Sequence, residues 1–386
     1  MITEFLTPID KTVFKEVNFE APFSVASTSV FFEGDLSVLK ENTIVLVGVE
    51  ETRGSTQSNF TEVNFNAIRE KWYQLFIGNW SNRLVDLGNV KAGDTVLDTY
   101  YAVQEIISYL IEKKCIPIVL GGGQDITYII YRAYDRIQKT INICSVDRKF
   151  DLGLFSEEEN ADSYLNKILT EEPQKLFNHY NIGHQSYYVS QEEMDLITQM
   201  NFEYLRLGNI SKENISEVEP FLRDSDLVTI DMSVMRFSES PANVYTTPNG
   251  LDGKEICSIT RYAGMSPKVS CLSLFEYNPL EDVKKQSAAL MAQMIWYFIE
   301  GYNLREEIPS FSKKEAYLFY TVPVENREFK FIKNRKSEHW WIELDYESEK
   351  NNIIEKRMIP CSYKDYLNTV EGEIPDRWWK NYKKFL

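Results

Sequence analysis

The chain predicts an α/β fold: a three-layer α/β/α arrangement around a mostly parallel, doubly wound sheet, followed by a C-terminal extension that contains β-structure. Three observations carry this expectation. Continuous apolar runs of strand length recur through roughly the first 300 residues. Segments with helical periodicity alternate with them. Beyond about residue 305 the texture changes to alternating apolar and polar residues. Strands buried on both faces read as unbroken Val/Ile/Leu runs, and strands alternating with helices predict a parallel sheet covered on both sides.

Residues 1–42 carry only short apolar patches, such as Phe23-Ser24-Val25 and Val30-Phe31-Phe32, and read as an N-terminal arm packed on the main domain. Residues 43–49 form the first continuous apolar run. Similar runs follow at 116–120, 141–146, 204–207, 227–230 and 269–274. Apolar residues spaced by three and four predict helices over 96–114, 126–136, 191–200 and 283–298. Together these define an α/β domain over 43–304. In the extension, 305–386, residues 330–333 and 339–346 alternate like half-buried antiparallel strands. Four of the seven tryptophans, Trp340, Trp341, Trp378 and Trp379, lie in it.

Composition narrows the function. The chain has 386 residues, with 58 acidic against 42 basic side chains and a net charge of -16. That balance argues against nucleic-acid binding, which needs a basic face. No apolar run is long enough to cross a bilayer, and the first residues lack the pattern of a signal peptide, so a cytoplasmic location is expected. Five cysteines without CxxC spacing read as buried free thiols in a reducing compartment. The glycine triplet at 121–123 lacks the Lys-Ser/Thr of a phosphate-binding loop.

In parallel sheets, ligands bind beyond the carboxyl ends of the strands. Gly121-Gly122-Gly123, Asp147, Asp231 and Glu276 each follow a proposed strand end and are therefore expected to share one rim. His184 is the only one of the three histidines near it. It is a candidate general base, against the plainer reading of a hydrogen-bonded structural residue.

Three segments on this rim stand in order and spacing: Gly121-Gly122-Gly123-Gln124, Asp147-Arg148-Lys149-Phe150-Asp151 and Asp231-Met232-Ser233. They resemble the metal motifs of the ureohydrolase (arginase, agmatinase, formimidoylglutamase) family, Gly-Gly-x-His, Asp-x-His-x-Asp and Asp-x-Asp. The resemblance spans roughly residues 43–303. Glu276-Tyr277-Asn278-Pro279 resembles the family's Glu-x-Asn-Pro, and Pro248-Asn249-Gly250-Leu251 its Pro-x-Gly-Leu turn. The resemblance implies an arginase-like fold and two manganese ions that activate a water against a guanidinium or formimidoyl carbon.

The resemblance also implies that the ligand set is incomplete. Gln124, Lys149 and Ser233 stand at three ligand positions, and Asp147, Asp151 and Asp231 remain. An ammonium among carboxylates neutralises charge that a metal would otherwise neutralise. The expectation is a salt-bridge cluster around Lys149, with no catalytic residues and no cofactor. Arg148 or Arg236 are candidates for further positive charge. The alternative is one hard ion, Mg²⁺ or Mn²⁺, on Asp147, Asp151 and Asp231. In the family the acid at position 276 grips the substrate's cationic head. Glu276 is thus a candidate for a cationic small molecule or an Arg side chain, or else a partner of Lys149 or Arg236.

Two readings of function follow. One is a degenerate member that acts as a binding or scaffold protein for a protein partner or in a homo-oligomer. The other is a divergent manganese-dependent hydrolase of a guanidino or formimidoyl C–N bond.

Overall fold

A computed structural model describes residues 2–154, 159–348 and 353–385. Its main sheet has ten strands: β1 (Leu6–Thr7), β2 (Ser29–Phe31), β3 (Ile44–Glu50), β4 (Leu84–Lys91), β5 (Ile116–Gly121), β6 (Ile141–Val146), β7 (Leu176–Ile182), β8 (Glu203–Leu205), β9 (Leu227–Asp231) and β10 (Cys271–Phe275). They run in the order β1-β4-β3-β5-β10-β9-β6-β7-β8, with β2 beside β4. Among them only β1 is antiparallel to its neighbour. Residues of the N-terminal arm thus supply strands at one edge of this sheet.

The side-chain alternation of a strand builds the three layers. Ile44 and Leu46 of β3 enter one core with the helices Asn66–Tyr73, Gly253–Met265 and Gln286–Asn303. Val45, Val47 and Val49 enter the other with Val96–Glu112, Ile126–Ala133 and Tyr164–Thr170. Helix starts are fixed by capping boxes, as at Thr95 with Asp98 and Asp252 with Glu255.

The extension forms a separate antiparallel sheet in the order β11 (Tyr317–Val324), β12 (Arg327–Asn334), β13 (Trp340–Ser348) and β14 (Ile353–Cys361). Two helices follow, Tyr363–Val370 and Asp376–Lys383. Phe329, Phe331, Trp340, Ile342, Leu344 and Ile359 form its core, with Trp378 packed against them.

Arginine side chains tie this unit to the main body. Arg223 donates through Nη2 to the carbonyls of Trp340 (3.0 Å) and Cys361 (3.2 Å) and lies 4.5 Å from the Trp341 ring centroid. Arg377 pairs with Glu203 at 3.2 Å and covers the Phe221 ring. The five cysteines are buried free thiols. Among the described residues no helix is long and apolar enough to cross a membrane.

Candidate functional site

The carboxyl ends of β5, β6, β9 and β10 bring the rim residues together. After β5 the chain turns through Gly122 and Gly123 into the helix Ile126–Ala133. A Cβ on Gly122 would lie 1.8 Å from the Glu51 carbonyl oxygen, so only glycine fits this turn. Gly123 N–H donates to that carbonyl at 3.0 Å, and Glu276 N–H donates to the Gly122 carbonyl at 2.8 Å. Asp151 and Glu276 both hold left-handed backbone, with φ of 54° and 64°.

Glu276 is buried and its carboxylate is filled by donors. Oε1 accepts from the Gln124 N–H at 2.9 Å; Oε2 accepts from Ser55 Oγ at 2.5 Å and Gln57 Nε2 at 2.8 Å. Asn243 Nδ2 holds the Glu276 carbonyl at 3.0 Å. Burial raises the Glu276 pKa to about 7, against the lowering effect of its three donors. The structure places it as a bracing strut between the first-strand loop and the glycine turn. Among the described residues it forms no ion pair with Lys149 or Arg236: Arg236 lies 3.9 Å from Asp252.

Lys149 Nζ sits 2.6 Å from Asp162 Oδ1 and 3.7 Å from Asp151 Oδ1. Burial opposes its charge, but Asp151 and Asp162 outweigh burial and hold its pKa above the ordinary lysine value. Asp151 goes the other way for an acid. Burial and the neighbouring Asp147 push its pKa well up, more than Lys149 pulls it down. Asp231 is raised by burial, then by Asp147 and Glu276. Its Oδ1 accepts the Ser233 N–H at 2.6 Å.

A second built-in cation flanks the rim. Arg148 donates from Nε to Ser233 Oγ at 3.2 Å and lies between the rings of Tyr188 (4.7 Å) and Tyr245 (4.9 Å). Its charge lowers the Asp231 pKa in part. Several buried polar atoms remain without a hydrogen-bond partner among the described residues: both amide atoms of Gln124, Asp147 Oδ2 and Asp151 Oδ2. Among the described residues no group of three or more His, Cys, Asp or Glu side chains is arranged to hold a metal ion.

His184 lies just beyond β7. It is buried against Phe150 and Tyr204, with its Nδ1 unpartnered. Burial, then Arg206, lower its pKa to about 4. The residues that sequence reasoning missed are Ser55, Gln57, Asp162, Tyr188 and Tyr245. Four sit in loops and Tyr188 in the three-residue 3-10 turn Ser186–Tyr188, where no periodicity marks them. The pairing of Asp162 with Lys149 depends on the fold of the segment after Asp151.

The model of the arginase family matches residues 42–300. The formimidoylglutamase of Lysinibacillus sphaericus is 22% identical over 245 residues, covering 60% of this chain and 75% of that protein. That of Staphylococcus carnosus is 26% identical over 223 residues, covering 55% and 71%. The crystal structure of Trypanosoma cruzi formiminoglutamase with manganese superposes with a TM-score of 0.61 at 17% identity, over 69% of this chain and 95% of that one. The agmatine ureohydrolase of Thermoplasma volcanium gives 0.59 at 19%, over 73% and 94%. At these identities the structural likeness speaks to the fold.

Proposed function

The chain belongs to the arginase family, and from that premise we propose that it is a catalytically degenerate member that acts in the cytoplasm as a binding or scaffold protein. The observation that carries this reading is Lys149. Its ammonium stands where the resemblance expects a neutral imidazole, 3.7 Å from Asp151 and 2.6 Å from Asp162. Arg148 adds a second positive charge, hydrogen-bonded to Ser233 Oγ. Buried carboxylates need a counter-charge, and here two side chains supply part of it. Two manganese ions do not fit this donor set: an ammonium and a hydroxyl replace two ligands, and a neutral amide replaces a third. No catalytic step is therefore derived through a metal. The partner is a protein, a second copy of the chain or a cationic group that meets Asp147 and Asp151, since the Glu276 carboxylate is already filled.

A second reading has its own support. The relatives carry the name formimidoylglutamase, and the unpartnered Gln124 amide, Asp147 Oδ2 and Asp151 Oδ2 leave polar atoms open to an ion or substrate. In this reading the chain is a divergent hydrolase of a guanidino or formimidoyl C–N bond, with Lys149 turned to Asp162 alone.

Metal content separates the two. The purified chain is incubated with excess Mn²⁺, desalted and subjected to elemental analysis. Near-zero manganese is expected. One or two equivalents per chain, together with release of formamide or urea from formimidoyl or guanidino compounds, would overturn the degenerate reading in favour of the hydrolase.

A further inference from the structure

Beside the rim, three strand ends enclose a cleft of about 410 Å³. Gln185 comes from the segment after β7, Arg206 from the end of β8, and Arg236 from the loop after β9, backed by the turn at 248–250. We propose that this cleft binds a small carboxylate-bearing molecule through the guanidinium groups of Arg206 and Arg236, which both line it. The inference stands apart from both readings of the metal positions, because none of these residues lies at one.

The two arginines present positive charge in a chain whose net charge is -16. Among the described residues Arg206 is exposed, and its side chain makes no ion pair and no hydrogen bond. Its charge is nonetheless felt nearby, since it helps lower the His184 pKa.

Arg236 is oriented and only loosely paired. Its Nε donates to the Gly250 carbonyl at 3.3 Å, and among the described residues its terminal nitrogens make no hydrogen bond. Its nearest acid, Asp252, is 3.9 Å away, and that residue's other oxygen caps the helix Gly253–Met265 through the N–H groups of Lys254 and Glu255.

The main chain beneath Arg236 is pinned. Bridges join Met235 to Leu251 and Arg236 to Thr247. A Cβ on Gly250 would lie 2.4 Å from the Arg236 nitrogen, so glycine lets the turn press against it. A guanidinium held on a fixed backbone loses little freedom on binding, which favours affinity for a small ligand.

The rest of the lining selects the ligand class. A planar carboxylate matches the fork of an arginine. The Gln185 Oε1 accepts from the Tyr187 hydroxyl, which leaves its amide N–H₂ as a further donor. Leu207, Ile210 and Pro248 give an apolar wall for a short carbon chain. Glu255 also lines the cleft, and with Asp252 it offsets much of the positive charge. That balance favours a carboxylate over a phosphate dianion.

The test uses the full chain at constant ionic strength, with chloride as the balancing salt. Acetate, succinate, glutamate and inorganic phosphate are titrated at millimolar concentrations while the thermal unfolding midpoint is followed. A saturable upward shift with at least one carboxylate is expected. Arg206→Gln and Arg236→Gln should each weaken it roughly tenfold, as loss of a charged hydrogen bond does. Lys336→Gln, on the C-terminal unit, should leave it unchanged. Both arginines are at least partly exposed, so neither substitution threatens the fold. No saturable shift with any carboxylate, a shift unaltered in both arginine variants, or tighter binding of phosphate than of every carboxylate would each overturn the proposal.

Discussion

Replacing Lys149 with methionine removes the ammonium and keeps most of the stem, so it isolates the charge. At 3.7 Å, the attraction between Lys149 and an ionised Asp151 is worth about 4–5 kcal/mol at an effective dielectric of about 20. That attraction offsets the cost of burying both groups and is not a net gain. Removing one partner leaves Asp151 buried beside Asp147 without its cation, which costs about 3–5 kcal/mol. The Asp162 contact adds little, because that carboxylate is 42% exposed and water replaces the lysine. Asp151 can relieve part of the penalty by taking up a proton, which brings the expected loss to about 2–4 kcal/mol at pH 8. The sign with pH follows from the direction of the Asp151 shift. An acid whose folded pKa lies above its unfolded value loses stability as pH rises between the two, and without Lys149 that fall extends further. Urea denaturation of both proteins at pH 5 and pH 8 measures it. A difference below about 0.5 kcal/mol at pH 8, or one that does not shrink at pH 5, would refute the view that Lys149 neutralises the rim.

Four further outcomes are expected. Restoring the family's ligands with Gln124→His, Lys149→His and Ser233→Asp should raise manganese content towards two equivalents, read by elemental analysis of the desalted variant. Glu276→Gln should cost about 1–3 kcal/mol in a denaturant titration, because an amide N–H₂ must then face one of three donors. The depressed His184 pKa, about 4 against an ordinary 6.5, means that the neutral ring is favoured in the fold. Stability should therefore fall as pH drops from about 6.5 to 4, by roughly 3 kcal/mol at most; His184→Gln should flatten that segment of the thermal-midpoint profile. Arg223→Ala leaves two buried carbonyls unmatched and should lower the thermal midpoint with a loss of about 2–4 kcal/mol.

The strands written as unbroken apolar runs were legible: β3, β5, β6, β9 and β10 lie where residues 43–49, 116–120, 141–146, 227–230 and 269–274 predicted them. The strands that polar residues interrupt were not. β4 contains Asp86, which pairs with the fully buried Arg69 at 2.8 Å, and β7 carries Asn178, His179 and Asn181 inside the sheet. Tertiary pairing overrides the hydrophobic pattern in both. The helix expected from 283 begins at Gln286, because Asp282 accepts the N–H groups of Ser287 and Ala288 and fixes the start. In the extension the alternation at 330–333 and 339–346 marked only β12 and β13. Trp378 and Trp379 lie on the helix Asp376–Lys383, too short for its period to stand out. The rim was legible as a set of strand ends. Asp162, Ser55 and Gln57 were not, because they reach it from loops whose course only the fold decides.

The left-handed backbone at Asp151 and Glu276 has a consequence for redesign. Each departs from the ordinary region by roughly 1–2 kcal/mol, and neither residue is glycine. Main-chain and side-chain bonds hold both in place: Leu165 N–H on the Asp151 carbonyl, and Gln57 and Asn243 on that of Glu276. The shape of the rim is thus stored in the main chain, like a mould whose lining can be changed. New ligand sets can be written onto positions 124, 149 and 233 by side-chain exchange alone, with the loops left as they are.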